Sequence, residues 1–204
     1  MQLSIVIFDQ FTDLDLFLMW DLFNRVRLPN WSVRILGDQR YHVSATGIEI
    51  PTHGLIDEAN HADAVLFVSG QGTRSKMKDR AWLSRFWLDP EKQQVGSICS
   101  GALLLAAMGL LRGKTATTYP TTKQTLESLG VTVEEKAFVA HGNVATAGGC
   151  LAAQYLAGWV IERQAGAEWR HLVLKSIKPV GEGLNFADAA ELTKLYAPVQ
   201  SASR

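Results

Sequence analysis

The sequence lacks the features that mark several large classes of protein. It has 2 cysteines, too few for a disulfide framework. Its 20 Lys+Arg and 20 Asp+Glu residues give a formal net charge of zero, so it lacks the positive surface that binds nucleic acids or acidic membranes. No apolar run approaches the roughly 20 residues of a membrane span. No basic stretch precedes the first apolar run, so we expect no signal peptide and a cytoplasmic protein that binds neither nucleic acid nor membrane.

Groupings typical of metal and dinucleotide sites are also missing from the sequence. No His, Cys and Asp residues fall together at metal-ligand spacing, and we expect no metal and no cofactor. The Gly-Gln-Gly at residues 70–72 lacks the third glycine and the later acidic residue of a dinucleotide fingerprint. Cys150 lies just inside an apolar helical segment, where we interpret it as a packing residue. The histidines are scattered and form no evident triad with a cysteine: His42, His53, His61, His141 and His171.

Short apolar runs alternate with segments of helical periodicity along most of the chain. This alternation favours an α/β fold, with a doubly wound, mostly parallel sheet between layers of helices. The length suits one domain, which we place at residues 1–178, with 179–204 as a C-terminal extension. Hairpins are expected at residues 41–50 and 138–147. The main strands are expected at residues 3–8, 31–37, 63–68 and 94–98, and the main helices at 11–27, 82–88, 102–108, 120–129, 149–162 and 169–175.

The most informative stretch is residues 94–106. A short apolar run ends at Cys99, Gly101 follows two positions later, and a helix-forming run comes next. This order predicts a strand, a tight turn and a helix, with the Cys99 thiol at the carboxyl edge of the sheet. The amino terminus of that helix would lower the pKa of the thiol and could hold an oxyanion on a substrate. From this stretch alone, a buried packing role explains the cysteine equally well.

Two other segments are expected at the same edge of the sheet. Asp15 follows the first strand and lies between two leucines, where apolar surroundings would raise its pKa and let it hold a proton for a nearby thiolate. Considered alone, the sequence around Asp15 slightly favours a solvated first-turn residue that compensates the helix dipole, and it favours a helix cap for Asp13. Gly70 and Gly72 follow another strand and would let backbone N–H groups approach a ligand.

These segments together resemble one known group of proteins. Residues 97–102 (SICSGA) and 109–118 (GLLRGKTATT) are similar to the ThiJ/PfpI group of the class-I glutamine amidotransferase-like superfamily, and residues 69–74 (SGQGTR) and 13–16 (DLDL) support the match. The resemblance covers roughly residues 2–178. Within the group it is closest to the isonitrile (isocyanide) hydratases and to the N-terminal domain of some AraC-type regulators. It implies a flavodoxin-like fold.

The resemblance also implies a reaction and the residues that perform it. Cys99, Asp15 and Ser100 occupy the positions of the hydratases' cysteine, aspartate and following hydroxyl residue. Attack of Cys99 on the terminal carbon of an isocyanide would give a thioimidate, and water activated by Asp15 would convert it to an N-substituted formamide. The N–H groups of Ser100 and of Gly70 or Gln71 would stabilise developing charge.

The chain departs from the family pattern at positions expected to line the pocket. Tyr119 stands where the family has a histidine, which argues against peptidase or amidotransferase chemistry. Bulky residues at 17–20 replace the usual Gly-Pro, so Trp20 is expected to shape the pocket together with Tyr119 and Gly72. The family also implies a homodimer. Trp20 and Trp31, expected to be exposed, give it slight support.

Two other functions remain open at this point. One is a cysteine-dependent, glyoxalase-type enzyme that acts on a different small electrophile. The other is a non-catalytic sensor or ligand-binding domain in which Cys99 is an oxidation-sensitive thiol with a role in redox or stress responses. A stand-alone DNA-binding regulator is disfavoured by the neutral charge and by the absence of a helix-turn-helix pattern.

Overall fold

The computed structural model describes residues 1–178, so the proposed extension at 179–204 lies outside the described residues. The strands of the described part are β1 (Gln2–Val6), β2 (Ser32–Gly37), β3 (Tyr41–Val43), β4 (Glu49–Pro51), β5 (Gly54–Leu55), β6 (Ala64–Phe67), β7 (Gln94–Ile98), β8 (Thr115–Ala116), β9 (Thr132–Val133), β10 (Phe138–His141) and β11 (Val144–Ala147).

The α-helices are α1 (Asp13–Asn24), α2 (Thr73–Lys76), α3 (Arg80–Leu83), α4 (Ala102–Ala107), α5 (Lys123–Ser128), α6 (Ala153–Ala165) and α7 (Ala167–Ser176). Short 3₁₀ turns cover Ile56–His61, Cys99–Gly101, Pro120–Thr122 and Cys150–Ala152. No helix in this part of the chain combines the length and the apolar character that a bilayer crossing demands.

Seven of these strands form one sheet in the order β10-β11-β7-β6-β1-β2-β5. Every neighbouring pair in it is parallel except β10 and β11, which form an antiparallel hairpin at one edge. The expected doubly wound, mostly parallel sheet and both hairpins are confirmed, since β3 and β4 also pair antiparallel. Strands β6, β1 and β7 therefore lie at the centre of the sheet.

The central strands are apolar along their whole length because helices cover both faces of the sheet. All residues of β6 and β7 are buried, and so is β1 apart from its first residue. Helices α1, α6 and α7 pack together, while α2, α4 and α5 form a second group. Gly96 in β7 admits one of these helices, since a Cβ there would lie 2.8 Å from the Leu156 side chain of α6.

Several helices differ in length from the sequence-based expectation. The helix expected at residues 82–88 is the single turn α3, which the Asp79 side chain caps by accepting the Trp82 N–H at 3.0 Å. The unbroken helix expected after Cys99 is a 3₁₀ turn followed by the six residues of α4. The segment expected as a helix from residue 120 likewise begins with a 3₁₀ turn before α5. Periodicity thus located these helices but overestimated their regular length.

Candidate active site

Cys99 lies at the sharp turn between β7 and α4. Its φ is +54°, in a region that costs an L-residue about 1–2 kcal/mol. The surrounding structure holds this backbone in place: the Thr118 hydroxyl donates to the Cys99 carbonyl at 2.9 Å, and a Cβ on Gly101 would lie 2.8 Å from the Val68 carbonyl oxygen. The Cys99 side chain is nearly buried at the carboxyl edge of the sheet. The predicted strand, turn and thiol are therefore confirmed.

Asp15 reaches the same place from the first turn of α1. The Thr12 N–H donates to the Ser69 carbonyl at 2.7 Å, which fixes the start of α1 against the end of β6. Asp15 is fully buried, and its Oδ2 accepts the Ser69 N–H at 3.0 Å and the Ser69 hydroxyl at 2.5 Å. This burial excludes the solvated first-turn role for Asp15. Asp13 is the first residue of α1 rather than its cap, and it accepts a hydrogen bond from Thr46.

The loop after β6 approaches the turn at Cys99 through Gly70. A Cβ at this glycine would lie 2.1 Å from the Gln10 carbonyl oxygen, and its φ is +149°, so only glycine fits without a shift of the backbone. The Gly70 N–H points at the Ser100 hydroxyl across a long 3.5 Å, and that hydroxyl lies 3.1 Å from the Thr73 hydroxyl. Ser100 therefore joins the loop to the Cys99 turn.

The thiol of Cys150 is a third titratable group beside Asp15 and Cys99. Cys150 begins the 3₁₀ turn after β11, and β11 is the neighbour of β7 in the sheet. The sulfur atoms of Cys99 and Cys150 and a carboxylate oxygen of Asp15 all lie within 4.8 Å of one another. Cys150 is partly buried, as expected of a packing residue, but the packing interpretation missed its position beside Asp15 and Cys99.

The electrostatics of this group differ from the expectation. Burial raises the pKa of the Cys99 thiol, and the Asp15 charge adds to this, although Ser69 and the Ser100 N–H act in the opposite direction. The predicted lowering of that pKa is therefore wrong. The reason is that a 3₁₀ turn and the short α4 provide too weak a positive end to offset burial and a neighbouring carboxylate.

The pKa values of Asp15 and Cys150 are raised for similar reasons. Burial raises the pKa of Asp15 against the hydrogen bonds from Ser69, as expected from its place between two leucines. Burial and the adjacent Asp15 raise the pKa of Cys150 to about 12. Three acids thus share a nearly dry site, and Asp15 belongs to none of the ion pairs within residues 1–178. Burial therefore shifts the pKa of all three groups in the direction that favours their protonated forms.

Comparison with known proteins identifies the family. The model of the DJ-1/PfpI family matches residues 1–163. The chain belongs to the DJ-1/PfpI family. A similar curated member of known activity is an isonitrile hydratase from Pseudomonas putida, which is 28% identical over 175 residues, covering 85% of this chain and 76% of that protein. The resemblance inferred from the motifs is thereby confirmed.

Solved structures of DJ-1/PfpI proteins share this fold. Schizosaccharomyces pombe DJ-1 superposes with a TM-score of 0.75 at 18% identity, over 88% of this chain and 100% of that chain. A ThiJ/PfpI family protein from Pseudomonas syringae gives a TM-score of 0.76 at 20% identity, over 95% of this chain and 84% of that chain. At such low identity the likeness concerns the fold alone.

Three more positions were singled out from DJ-1/PfpI motifs, namely Gly72, Gln71 and Tyr119. Gly72 precedes α2, and a Cβ there would lie 2.1 Å from the Asp9 carbonyl oxygen, so it packs against backbone. Gln71 is exposed and lines a cavity of about 540 Å³ together with Asp9 and Tyr41. Tyr119 is 45% exposed. It lies between Thr118, whose hydroxyl binds the Cys99 carbonyl, and the 3₁₀ turn Pro120–Thr122.

The two tryptophans have contacts of their own within the chain. Trp20 stacks on His53 with ring centroids 5.4 Å apart, and the indole N–H of Trp31 donates to the Phe23 carbonyl at 2.9 Å. Both are half-buried, so they no longer support a dimer interface. The homodimer stays a prediction from the DJ-1/PfpI family.

Sequence reasoning missed Ser69, whose N–H and hydroxyl hold the Asp15 carboxyl. Ser69 is buried, donates two hydrogen bonds to Asp15, and acts to lower the pKa of Cys99 against the effect of burial. One signal could have found it: Ser69 is the first polar residue after the buried run that forms β6 and ends at the same edge of the sheet.

Proposed function

We propose that this protein is an isonitrile hydratase-like lyase that adds water to a small isocyanide and releases an N-substituted formamide. The observation that carries the proposal is the buried pairing of Asp15 with Cys99, whose donor atoms lie within 4.8 Å. The related hydratase from Pseudomonas putida supports the choice of substrate class.

The site contains both the proton donor and the nucleophile that hydration of an isocyanide requires. An isocyanide has no proton on its terminal carbon, so hydration requires an acid that delivers one to carbon while a nucleophile adds there. Burial raises the pKa of Asp15, which favours the protonated form that this step uses, and Cys99 lies beside it as the nucleophile. An isocyanide is also uncharged, so it can enter a nearly dry site without the cost of desolvating a charge.

The first half of the proposed reaction forms a covalent intermediate. The Cys99 sulfur, as thiolate, bonds to the terminal carbon of R–N≡C while Asp15 transfers its proton to the same carbon. The product is a thioimidate, R–N=CH–S–Cys99, and an ionised Asp15. The Ser69 N–H and hydroxyl, which already hold the Asp15 oxygen, stabilise that carboxylate.

The second half consumes water. The Asp15 carboxylate takes a proton from a water molecule as the water oxygen adds to the thioimidate carbon, and Asp15 then passes that proton to the nitrogen. On collapse of this adduct the Asp15 carboxylate takes the proton of the added hydroxyl, the C–S bond breaks, R–NH–CHO is released, and the thiolate and protonated Asp15 are restored. The N–H groups of Gly70 and Ser100 would stabilise charge on the adduct, and the long Gly70 contact of 3.5 Å leaves that donor little engaged at rest.

The alternatives gain less support from the site. Susceptibility of a cysteine to oxidation follows its thiolate character, and the raised pKa of Cys99 opposes it. We find no arrangement within residues 1–178 that specifically favours a glyoxal substrate.

The proposal is tested by incubating the purified protein with cyclohexyl isocyanide and measuring the formamide by NMR. We expect turnover by the wild type and by Cys150→Ala, and none by Cys99→Ala. The two alanine variants form a matched pair, since each removes one of the two thiols in the same cluster. Absence of turnover by the folded wild type, or equal turnover by Cys99→Ala, would refute the proposal.

A further inference from the structure

Asp15, Cys99 and Cys150 are brought together from three separate segments of the chain. Each follows a different strand: Asp15 follows β1, Cys99 follows β7 and Cys150 follows β11. Because they lie far apart in the sequence, no metal-ligand spacing appears in the sequence. Within residues 1–178 they are the only group of three or more His, Cys, Asp or Glu side chains whose ligand atoms lie this close together. Two sulfur atoms and a carboxylate oxygen form a donor set typical of zinc and other thiophilic cations.

A second observation points to a missing partner at the same place. Asp15 is fully buried, and its Oδ1 accepts no hydrogen bond from any described residue. Leaving a buried polar atom unsatisfied costs about 1–3 kcal/mol, and more for a charged group. The Asp15 Oδ2, in contrast, has two donors from Ser69. Ser69 thus orients the carboxyl group from behind and leaves one oxygen free to bind an ion, as outer-shell partners of metal ligands do.

We propose that Asp15, Cys99 and Cys150 bind one zinc ion, or a similar thiophilic divalent cation, through one carboxylate oxygen and two thiolates. Zinc takes tetrahedral ligands at about 2.0–2.3 Å, which places neighbouring donor atoms about 3.5–3.8 Å apart. The three donor atoms lie within 4.8 Å, so side-chain rotations of about an ångström bring them to ligating distance. Three protein ligands leave a fourth position for water.

The site also has an entry path and a charge balance that suit a cation. Cys150 lines an open groove of about 420 Å³ together with Gln154 and Tyr155, so an ion can reach the cluster from that side. The cluster contains three acids and Asp15 has no cationic partner among the described ion pairs. A divalent ion would supply that missing positive charge, at the cost of displacing protons from its ligands.

A disulfide between Cys99 and Cys150 is the main competing interpretation of the same contact. It requires the two sulfur atoms to approach to about 2.05 Å, and it gives the unpartnered Asp15 oxygen nothing to bind. A metal ion uses all three side chains and needs a smaller movement. We therefore favour the metal.

Binding would have a consequence for the chemistry of Cys99. A sulfur atom that ligates zinc shares its lone pair with the metal and is not free to attack an isocyanide. We therefore expect the metal-loaded protein to be unreactive at Cys99 and the metal-free protein to carry any turnover. Metal binding itself is measured without a substrate, so its outcome is independent of the proposed hydratase activity.

The direct test is titration of reduced, oxygen-free protein with CoCl₂, followed by competition with ZnCl₂. We expect one Co²⁺ per chain, an intense thiolate-to-cobalt charge-transfer absorption, and its loss as Zn²⁺ displaces Co²⁺. Bound Zn²⁺ should also protect both cysteines from alkylation. Absence of the charge-transfer absorption, or isolation of a Cys99–Cys150 disulfide from protein that binds no metal when reduced, would overturn the proposal.

Variants then locate the site. Cys150→Ala should weaken Zn²⁺ binding by at least about 100-fold. Loss of a residue that only hydrogen-bonds to a metal ligand costs at most about that much affinity, so a larger loss identifies a direct ligand. His141→Ala, at an exposed histidine far from the cluster in the fold, is the control and should bind as the wild type does. Equal affinity in the folded Cys150→Ala protein would refute the assignment. If that variant does not fold, as judged by its thermal melt, Cys150→Ser serves the same purpose.

Discussion

Replacing Asp15 by Asn separates two effects of one carboxyl group, namely its charge and its proton. An Asp15 oxygen lies within 4.8 Å of the Cys99 sulfur. At an effective dielectric constant of about 20, two unit charges at that distance repel by about 3 kcal/mol, which is about a hundredfold in an ionisation equilibrium. Asn has nearly the same shape, and its carbonyl oxygen can still accept the Ser69 hydrogen bonds. The substitution therefore removes the charge with little change in packing.

We expect the two functions of Asp15 to respond in opposite directions. Without the carboxylate charge Cys99 ionises more readily, so at an alkaline pH where Asp15 is ionised its alkylation by iodoacetamide should be faster, by up to about a hundredfold. Turnover of cyclohexyl isocyanide should be lost, because the amide has no proton to give to carbon and cannot activate water.

The assay uses the Cys150→Ala background, so that Cys99 is the single thiol of the chain. Second-order alkylation rates and formamide formation are measured on the same metal-free preparations with and without Asp15→Asn. An alkylation rate that is unchanged or slower in Asp15→Asn would refute the electrostatic reasoning. Retained turnover would show that Asp15 is not the proton donor.

Three further predictions concern the thiol and the fold. Because burial and Asp15 raise the pKa of Cys99, its alkylation rate in Cys150→Ala should still be rising at a pH where an ordinary thiol of pKa about 8.5 levels off, and an earlier plateau would contradict this. In denaturant melts Gly109→Ala should cost about 1–2 kcal/mol of unfolding free energy, and Gly70→Ala should cost several times as much. Both glycines have positive φ, but only at Gly70 does the new Cβ meet backbone, and equal losses would count against that contact. Leu156→Ala should cost about 2–5 kcal/mol and Leu151→Ala less than about 0.5, because Leu156 is fully buried and Leu151 is 69% exposed; similar values would argue against the packing of α6 described above.

The sheet and the turn at Cys99 were predictable because local pattern determines them. Buried parallel strands appear as short apolar runs, and a cysteine between such a run and a helix indicates the turn directly. The meeting of Asp15 with Cys99 followed from a topological rule, that the carboxyl ends of parallel strands meet at one edge. None of these inferences required knowledge of side-chain contacts.

The features that could not be predicted depend on three-dimensional surroundings. The direction of the pKa shift of Cys99 is a balance between burial, Asp15 and the N–H groups of a short turn, and sequence alone does not reveal how dry the site is. Cys150 approaches the cluster because β11 pairs with β7, a pairing between segments distant in the chain. Ser69 was visible as a loop residue, but its two hydrogen bonds to Asp15 depend on the exact start of α1.

The central claim is that Cys99 forms a covalent bond to the terminal carbon of an isocyanide. Its most direct test is rapid acid quenching of the reaction during turnover, followed by peptide mapping by mass spectrometry. We predict a transient adduct on Cys99 whose added mass equals that of the intact isocyanide, since the thiol adds across the terminal carbon without a leaving group. Formamide production with Cys99 unmodified throughout, and undiminished in Cys99→Ala, would contradict it.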